Sequence, residues 1–320
     1  VLLDVYEVTR DESLLRDQLL VLAPPFLRFL GGHYTGRDAD GKMLLAPAQA
    51  LETWWRAVNP LPEIAGLQWV LKGLLALPTA MVPDDLRREW EELSAIVPPI
   101  PTRSFDWGQQ TKLIPALQYD DCRKGENAEL YAVFPYRHYG AGKPGTAVGV
   151  ATYGHRQYKS MGGWSQDGIQ AALLGLTDEA RRHVVHHFST AHTGSRFPAF
   201  WGPNADWIPD QDHGSVASVA LQRMLLQWDG ERILLLPAWP RDWDVDFRLH
   251  APANTVVEGV VRQGRIARLT VTPRARMHDV ECEGSWFPPG MDETASASSS
   301  PDTADSESPG GGPDRVPRLP

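Results

Sequence analysis

Apolar residues recur at helical spacing through most of the first 228 positions, then switch to alternation over the following fifty. From Thr9 to Leu30, Leu14, Leu15, Leu19, Leu22 and Leu27 line one helical face, and Thr9-x-x-Glu12 matches a capping box. Pro24 and Pro25 are expected to kink or split that helix, because each removes a backbone donor and crowds the preceding turn. Gly31–Lys42 is rich in turn formers, and Leu44–Pro60 is polar and aromatic without a clean stripe. Ile64, Leu67, Leu71, Leu74 and Leu75 predict a helix that stops before Pro78, and Asp84–Ile96 predicts an amphipathic one. Residues 98–127 show no dominant period and are expected to form a long connection, a kind of segment more often functional than idle. Helices are predicted at about 146–158, 165–175 and 177–192, and again over Ser215–Gln227.

From Arg232 the period shortens. Arg232–Pro237, Asp246–His250, Val256–Val261 and Arg265–Val271 predict strands, the last two joined as a hairpin by Gln263-Gly264. The Ser/Pro/Gly/Asp-rich stretch 284–320 has too little apolar surface to order itself and is expected to be a disordered tail. The expected domains are therefore 1–228, helical, then 229–283, a small β-sandwich-like unit, then the tail. Seven or eight helices are too few to close a ring of twelve.

Composition narrows the function. The chain has 320 residues and a net charge of −9, with no Lys/Arg cluster, which argues against a nucleic-acid partner. No run of 18 apolar residues predicts a membrane span. Cys122 and Cys282 lie too far apart for a disulfide framework or a zinc motif. His183, His186 and His187 share a spacing that can hold metal, but a solvated helix face is the expectation, with no metal and no cofactor. The chain opens on Val1 inside a helical pattern, so truncation at the N-terminus, with any export signal upstream, is expected. Secretion or a periplasmic location is the corresponding expectation; the oligomeric state is left open.

Twelve Trp are a high count, and their flat apolar faces suit stacking on sugar rings. Hydrolysis of a glycosidic bond needs one carboxylic acid to protonate the leaving oxygen and a second carboxylate to activate water or attack the sugar. Two segments place acids among aromatic and amide groups. In Leu44–Asn59, Glu52 lies beside Gln49, Trp54, Trp55 and Asn59; in Phe197–Gly214, Asp206, Asp210 and Asp212 lie among Trp201, Asn204, Trp207, Gln211 and His213.

Three stretches resemble glycoside hydrolase family 95, which contains α-L-fucosidases. The run Asp210-Gln211-Asp212-His213-Gly214, followed by Met224-Leu225-Leu226-Gln227 and Leu235-Leu236-Pro237-Ala238-Trp239-Pro240, is similar to the family's general-base segment. The loop Gly41–Glu52 is similar to its general-acid loop, with Ala50-Leu51-Glu52 in place of Ser-Pro-Glu. Glu129-Leu130-Tyr131-Ala132-Val133-Phe134-Pro135 is similar to a sugar-contacting segment, with Glu129 in place of a histidine; His213 replaces a glycine. The resemblance implies an incomplete (α/α)6 barrel of helical hairpins with a β appendage. It also implies inverting hydrolysis of an oligo- or polysaccharide, with Glu52 as general acid and Asp212 as general base about 6.5–9.5 Å apart. Two asparagines that assist the aspartate in that family have no match here.

Trp54 and Trp55 are expected to desolvate Glu52 and favour its protonated form. Trp164, Trp201 and Trp207 are candidates for stacking on the saccharide, and Gln166, Asn204 and Asp206 for binding its hydroxyls; Trp54, Trp55, Glu129 and His213 are further substrate-binding candidates. The competing class is a non-catalytic carbohydrate-binding or scaffold protein; a phosphorylase or a lyase on a helical barrel is a further rival.

Overall fold

The computed structural model describes residues 1–190 and 212–287, except for the side chains of Asp121 and of residues 212–214. The expected tail and the segment carrying Trp201, Asn204, Asp206 and Trp207 lie outside the described residues.

The N-terminal helical region is more segmented than its pattern predicts. Helix α1 (Leu2–Thr9) ends with Arg10 in a left-handed conformation. Asp11, not Thr9, then caps α2 (Glu12–Leu14), its Oδ1 accepting from the N–H groups of Ser13 and Leu14 at 2.8 and 3.2 Å. Thr9 donates its hydroxyl back to the carbonyl of Val5 instead. A π-helical turn (Leu15–Leu19) leads into α3 (Leu20–His33), which runs through Pro24 and Pro25 without ending. The prolines cost it the bonds to the Leu20 and Val21 carbonyls; Val21 is exposed, where water can supply a donor.

Two helices match their predicted periods closely, α4 (Leu61–Leu75) and α5 (Asp84–Ile96). Their apolar faces, with Leu15, Leu19 and Leu27, form one cluster around the fully buried Trp90. The other helices are α6 (Thr146–Gly154), α7 (Asp167–Leu173), α8 (Thr177–Ser189) and α9 (Asp212–Leu225).

Strands replace two stretches expected to be irregular. Strands β1 (Ala48–Ala50) and β2 (Trp54–Pro60) form a hairpin in the acid loop. The expected connection 98–127 contains the hairpin β3 (Thr102–Phe105) and β4 (Gln110–Leu113), then β5 (Ala116–Gln118) and β6 (Asp121–Cys122). Both β5 and β6 pair antiparallel with β2, making a four-stranded sheet. Apart from the seven-residue β2, these strands are two to four residues long and leave no measurable period, which is why the pattern failed to predict them.

After α9 the chain passes directly into β7 (Leu226–Asp229), which pairs antiparallel with β8 (Arg232–Leu235); the helix therefore ends before its predicted Gln227 limit. A meander of β9 (Val245–Ala251), β10 (Thr255–Arg262) and β11 (Arg265–Thr272) follows, and β12 (Val280–Glu281) returns parallel to β8. One apolar cluster runs from α7, α8 and α9 into both of these sheets, through Met224, Ile233, Val257 and Leu269. Among the described residues no helix is long and apolar enough to cross a membrane.

Candidate functional site

The first sheet sets the groove. Successive side chains on a strand point to opposite faces, so adjacent Trp54 and Trp55 on β2 part company. Trp54 leans on Tyr119 at 4.8 Å between ring centres and lines a groove of about 130 Å³. Trp55 lies away from it, 43 % exposed, with the Arg123 guanidinium 5.2 Å from its ring centre.

Beyond β6 the chain turns through Gly125 and Glu126 into a 3₁₀ turn (Ala128–Ala132) that places Glu129 in the groove wall. The β3–β4 hairpin also lines the groove, through Arg103 and Lys112, and is tied to α6 where Leu113 N–H donates to Thr152 Oγ1 at 2.9 Å. Glu126 and Tyr158 are shared with a neighbouring recess lined by Trp164, Gln166, Asp167 and Gln170, at the start of α7. Asn127 holds the shared edge in place by clamping the Tyr158 backbone: its Oδ1 accepts from Tyr158 N–H at 3.1 Å, and its Nδ2 donates to the Tyr158 carbonyl at 2.7 Å.

The carboxyl groups here have different settings. Glu126 accepts from the Tyr131 hydroxyl at 2.6 Å. Asp167 is buried and fully engaged, taking a 2.5 Å bond from Arg156 Nε and a 2.7 Å bond from Ser165 Oγ. Arg156 in turn stacks over Tyr153 at 3.7 Å, so this charged pair is a rigid support rather than a reacting group. Glu129 is only 9 % exposed, and among the described residues no side chain donates to it or pairs with it. Burial pushes its carboxyl up to about 7; a hydrogen bond from its own backbone N–H, then Lys112 and Arg156, oppose the effect, and Asp167 adds to it. A carboxylic acid that keeps its proton near neutral pH is suited to proton transfer. Among the residues lining the recess, Gln166 Oε1 and the Oε1 of the 3 % exposed Gln170 are buried acceptors without a protein donor, and Trp164 is 44 % exposed. Buried polar atoms are nearly always bonded, so these two acceptors are unsatisfied polar groups at the recess.

Four of the predicted residues, Trp54, Glu129, Trp164 and Gln166, thus converge on adjoining recesses although 112 positions separate the first from the last. Glu52 does not join them. It sits in the tight β1–β2 turn behind a left-handed Leu51, its side chain 65 % exposed and ion-paired with Lys124. The expected desolvation by Trp54 and Trp55 is corrected here: Trp54 turns to the other side, and Trp55 only donates its indole N–H to the Glu52 carbonyl at 3.2 Å. The backbones of Asp212 and His213 open α9, while their side chains lie outside the described residues, as do Trp201, Asn204, Asp206 and Trp207.

The histidine expectation is corrected too. His183 and His187 are buried at 2 % and 7 %, not solvated, because α8 packs this face on α7 at Gly168. Among the described residues no three His, Cys, Asp or Glu side chains gather as a metal-ligand set.

Sequence reasoning missed Arg103, Lys112, Glu126 and Tyr158. The available signal for the first two was Thr102-Arg-Ser-Phe and Gln110-Thr-Lys-Leu flanking Asp106-Trp107-Gly108, a turn with Gly108 at positive φ. Comparison with known proteins finds no matching family model and no matching curated protein.

Proposed function

We propose that this chain is a glycoside hydrolase that binds an oligo- or polysaccharide along the groove between Trp54 and Trp164. The observation carrying the proposal is Glu129: a buried carboxylic acid with no side-chain partner, lining an open groove beside Trp54 and next to a recess lined by Trp164, Gln166 and Gln170. Indole faces suit sugar rings, and Gln166 and Gln170 suit hydroxyl donors. The incomplete (α/α)6 barrel belongs to this proposal, with α4 to α9 supplying its helical hairpins, and so does the kinship with glycoside hydrolase family 95.

In the reaction, one carboxylic acid protonates the glycosidic oxygen as the bond to the anomeric carbon breaks, and a carboxylate takes a proton from the attacking water. The sequence resemblance gives these roles to Glu52 and Asp212. The setting of Glu129 makes it a third candidate, as donor. The experiment is a product assay over a panel of oligosaccharides with Glu52→Gln, Asp212→Asn and Glu129→Gln. Loss of the true donor or base is expected to cut turnover by about 10²–10⁴-fold with folding retained. A panel cleaved by the wild type and undisturbed by all three changes contradicts the assignment.

A second reading, a carbohydrate-binding protein without turnover, is favoured by one observation: Glu52 stands in solvent outside the groove lining. It predicts saturable saccharide binding with no new reducing ends.

A further inference from the structure

The β3–β4 hairpin holds an arrangement that neutral sugar binding does not need. Arg103 and Lys112 are direct cross-strand partners, so both side chains stand on one face, and both line the groove beside Trp54 and Glu129. Like charges directly opposite each other weaken a hairpin. Among the described residues neither has a carboxylate in an ion pair with it, in a protein whose net charge is −9. Lys112 is within electrostatic range of Glu129, whose burial keeps it neutral up to about pH 7. Glu126, which also lines the groove, accepts from the Tyr131 hydroxyl. The hairpin is tied to its surroundings: Leu113 bonds β4 to α6, Phe105 at the end of β3 packs edge-on against His155 at 4.6 Å, and Lys112 Nζ lies 5.6 Å from the Phe105 ring centre. The hairpin thus brings two cations to the same groove as a buried acid and an indole ring.

We propose that Arg103 and Lys112 form an anion subsite that receives the carboxylate or sulfate of an acidic saccharide whose ring lies against Trp54. This rests on the saccharide reading above and names its substrate class. Arg offers a planar fork matched to both oxyanions, and Lys a point charge beside it. The groove's 130 Å³ falls below the roughly 300–1,000 Å³ that encloses a drug-sized ligand, so it holds one charged residue of a longer chain.

The test is a Trp-fluorescence titration of the full chain at low ionic strength with three oligosaccharides of equal length: an oligogalacturonate, a sulfated one and a neutral one. At least one acidic ligand is expected to bind about tenfold tighter than the neutral one, the size of one charge-assisted hydrogen bond. That preference shrinks as salt is added. The double variant R103Q/K112Q is expected to bind all three alike, with an unchanged thermal midpoint and circular dichroism spectrum as the control for folding; R103Q alone gives an intermediate preference. Equal affinities in the wild type overturn the subsite and leave the saccharide reading standing. A preference that survives in the double variant also overturns it, because the anion then sits elsewhere. Binding of none of the three removes the saccharide reading and the subsite together.

Discussion

A carboxyl group buried with no side-chain donor and only its own backbone N–H to bond must give up either its charge or stability, and Glu129 shows which. Its folded pKa, near 7, lies above the ordinary 4.5, so the folded state holds a proton that the unfolded chain has released. The contribution of this group is therefore fully present below about 4.5 and is lost as pH rises through about 7. Glu129→Gln is expected to match the wild type near pH 5 and to exceed it at pH 8 by on the order of 1–3 kcal/mol, read from urea unfolding. A constant difference at both pH values contradicts this. His183 acts in the opposite direction: burial lowers its pKa to about 4, so its contribution is present above 6.5 and lost as pH falls towards 4. The wild-type curve mixes the two effects, and its difference from the Glu129→Gln curve isolates the first. At this scale the sequence could suggest which residue types matter, but not their settings. Glu129 and Glu52 are both acids near aromatic residues in the chain, yet one is walled in by a 3₁₀ turn and the other is pushed into water by a tight hairpin.

Elements with a sustained period were legible: α4 and α5 follow their leucine spacing closely, and β9, β10 and β11 follow their alternation. The groove walls were not, because β3, β4, β5 and β6 are each four residues or fewer, and their pairing with partners such as β2 is decided by contacts distant in sequence. Packing between α7 and α8 was equally hidden. A methyl group at Gly168 would lie 2.9 Å from His183 Cβ, a contact that a side-chain rotation cannot relieve. Gly→Ala inside a helix ordinarily stabilises by about 1 kcal/mol. Gly168→Ala is expected to reverse that sign and destabilise by about 1–3 kcal/mol, lowering the thermal midpoint. A midpoint equal to or above that of the wild type contradicts the close approach of α7 and α8.

Across the whole molecule, the groove is an assembly of pieces none of which is a site alone. The β2 strand brings Trp54, the β3–β4 hairpin brings the cations, the 3₁₀ turn brings Glu129, and the start of α7 brings Trp164 and Gln166. These pieces are held together by the Asn127–Tyr158 clamp and the Leu113–Thr152 bond. The central claim is that a saccharide lies along this line. Indole N–H resonances of the ¹⁵N-labelled chain, assigned for Trp54 and Trp164 by single Phe replacements, test it directly during titration with the best-binding oligosaccharide. The account predicts that both signals shift together and saturate at one concentration, with Trp55 and Trp90 unmoved. Saturable binding that leaves Trp54 and Trp164 unchanged would contradict it.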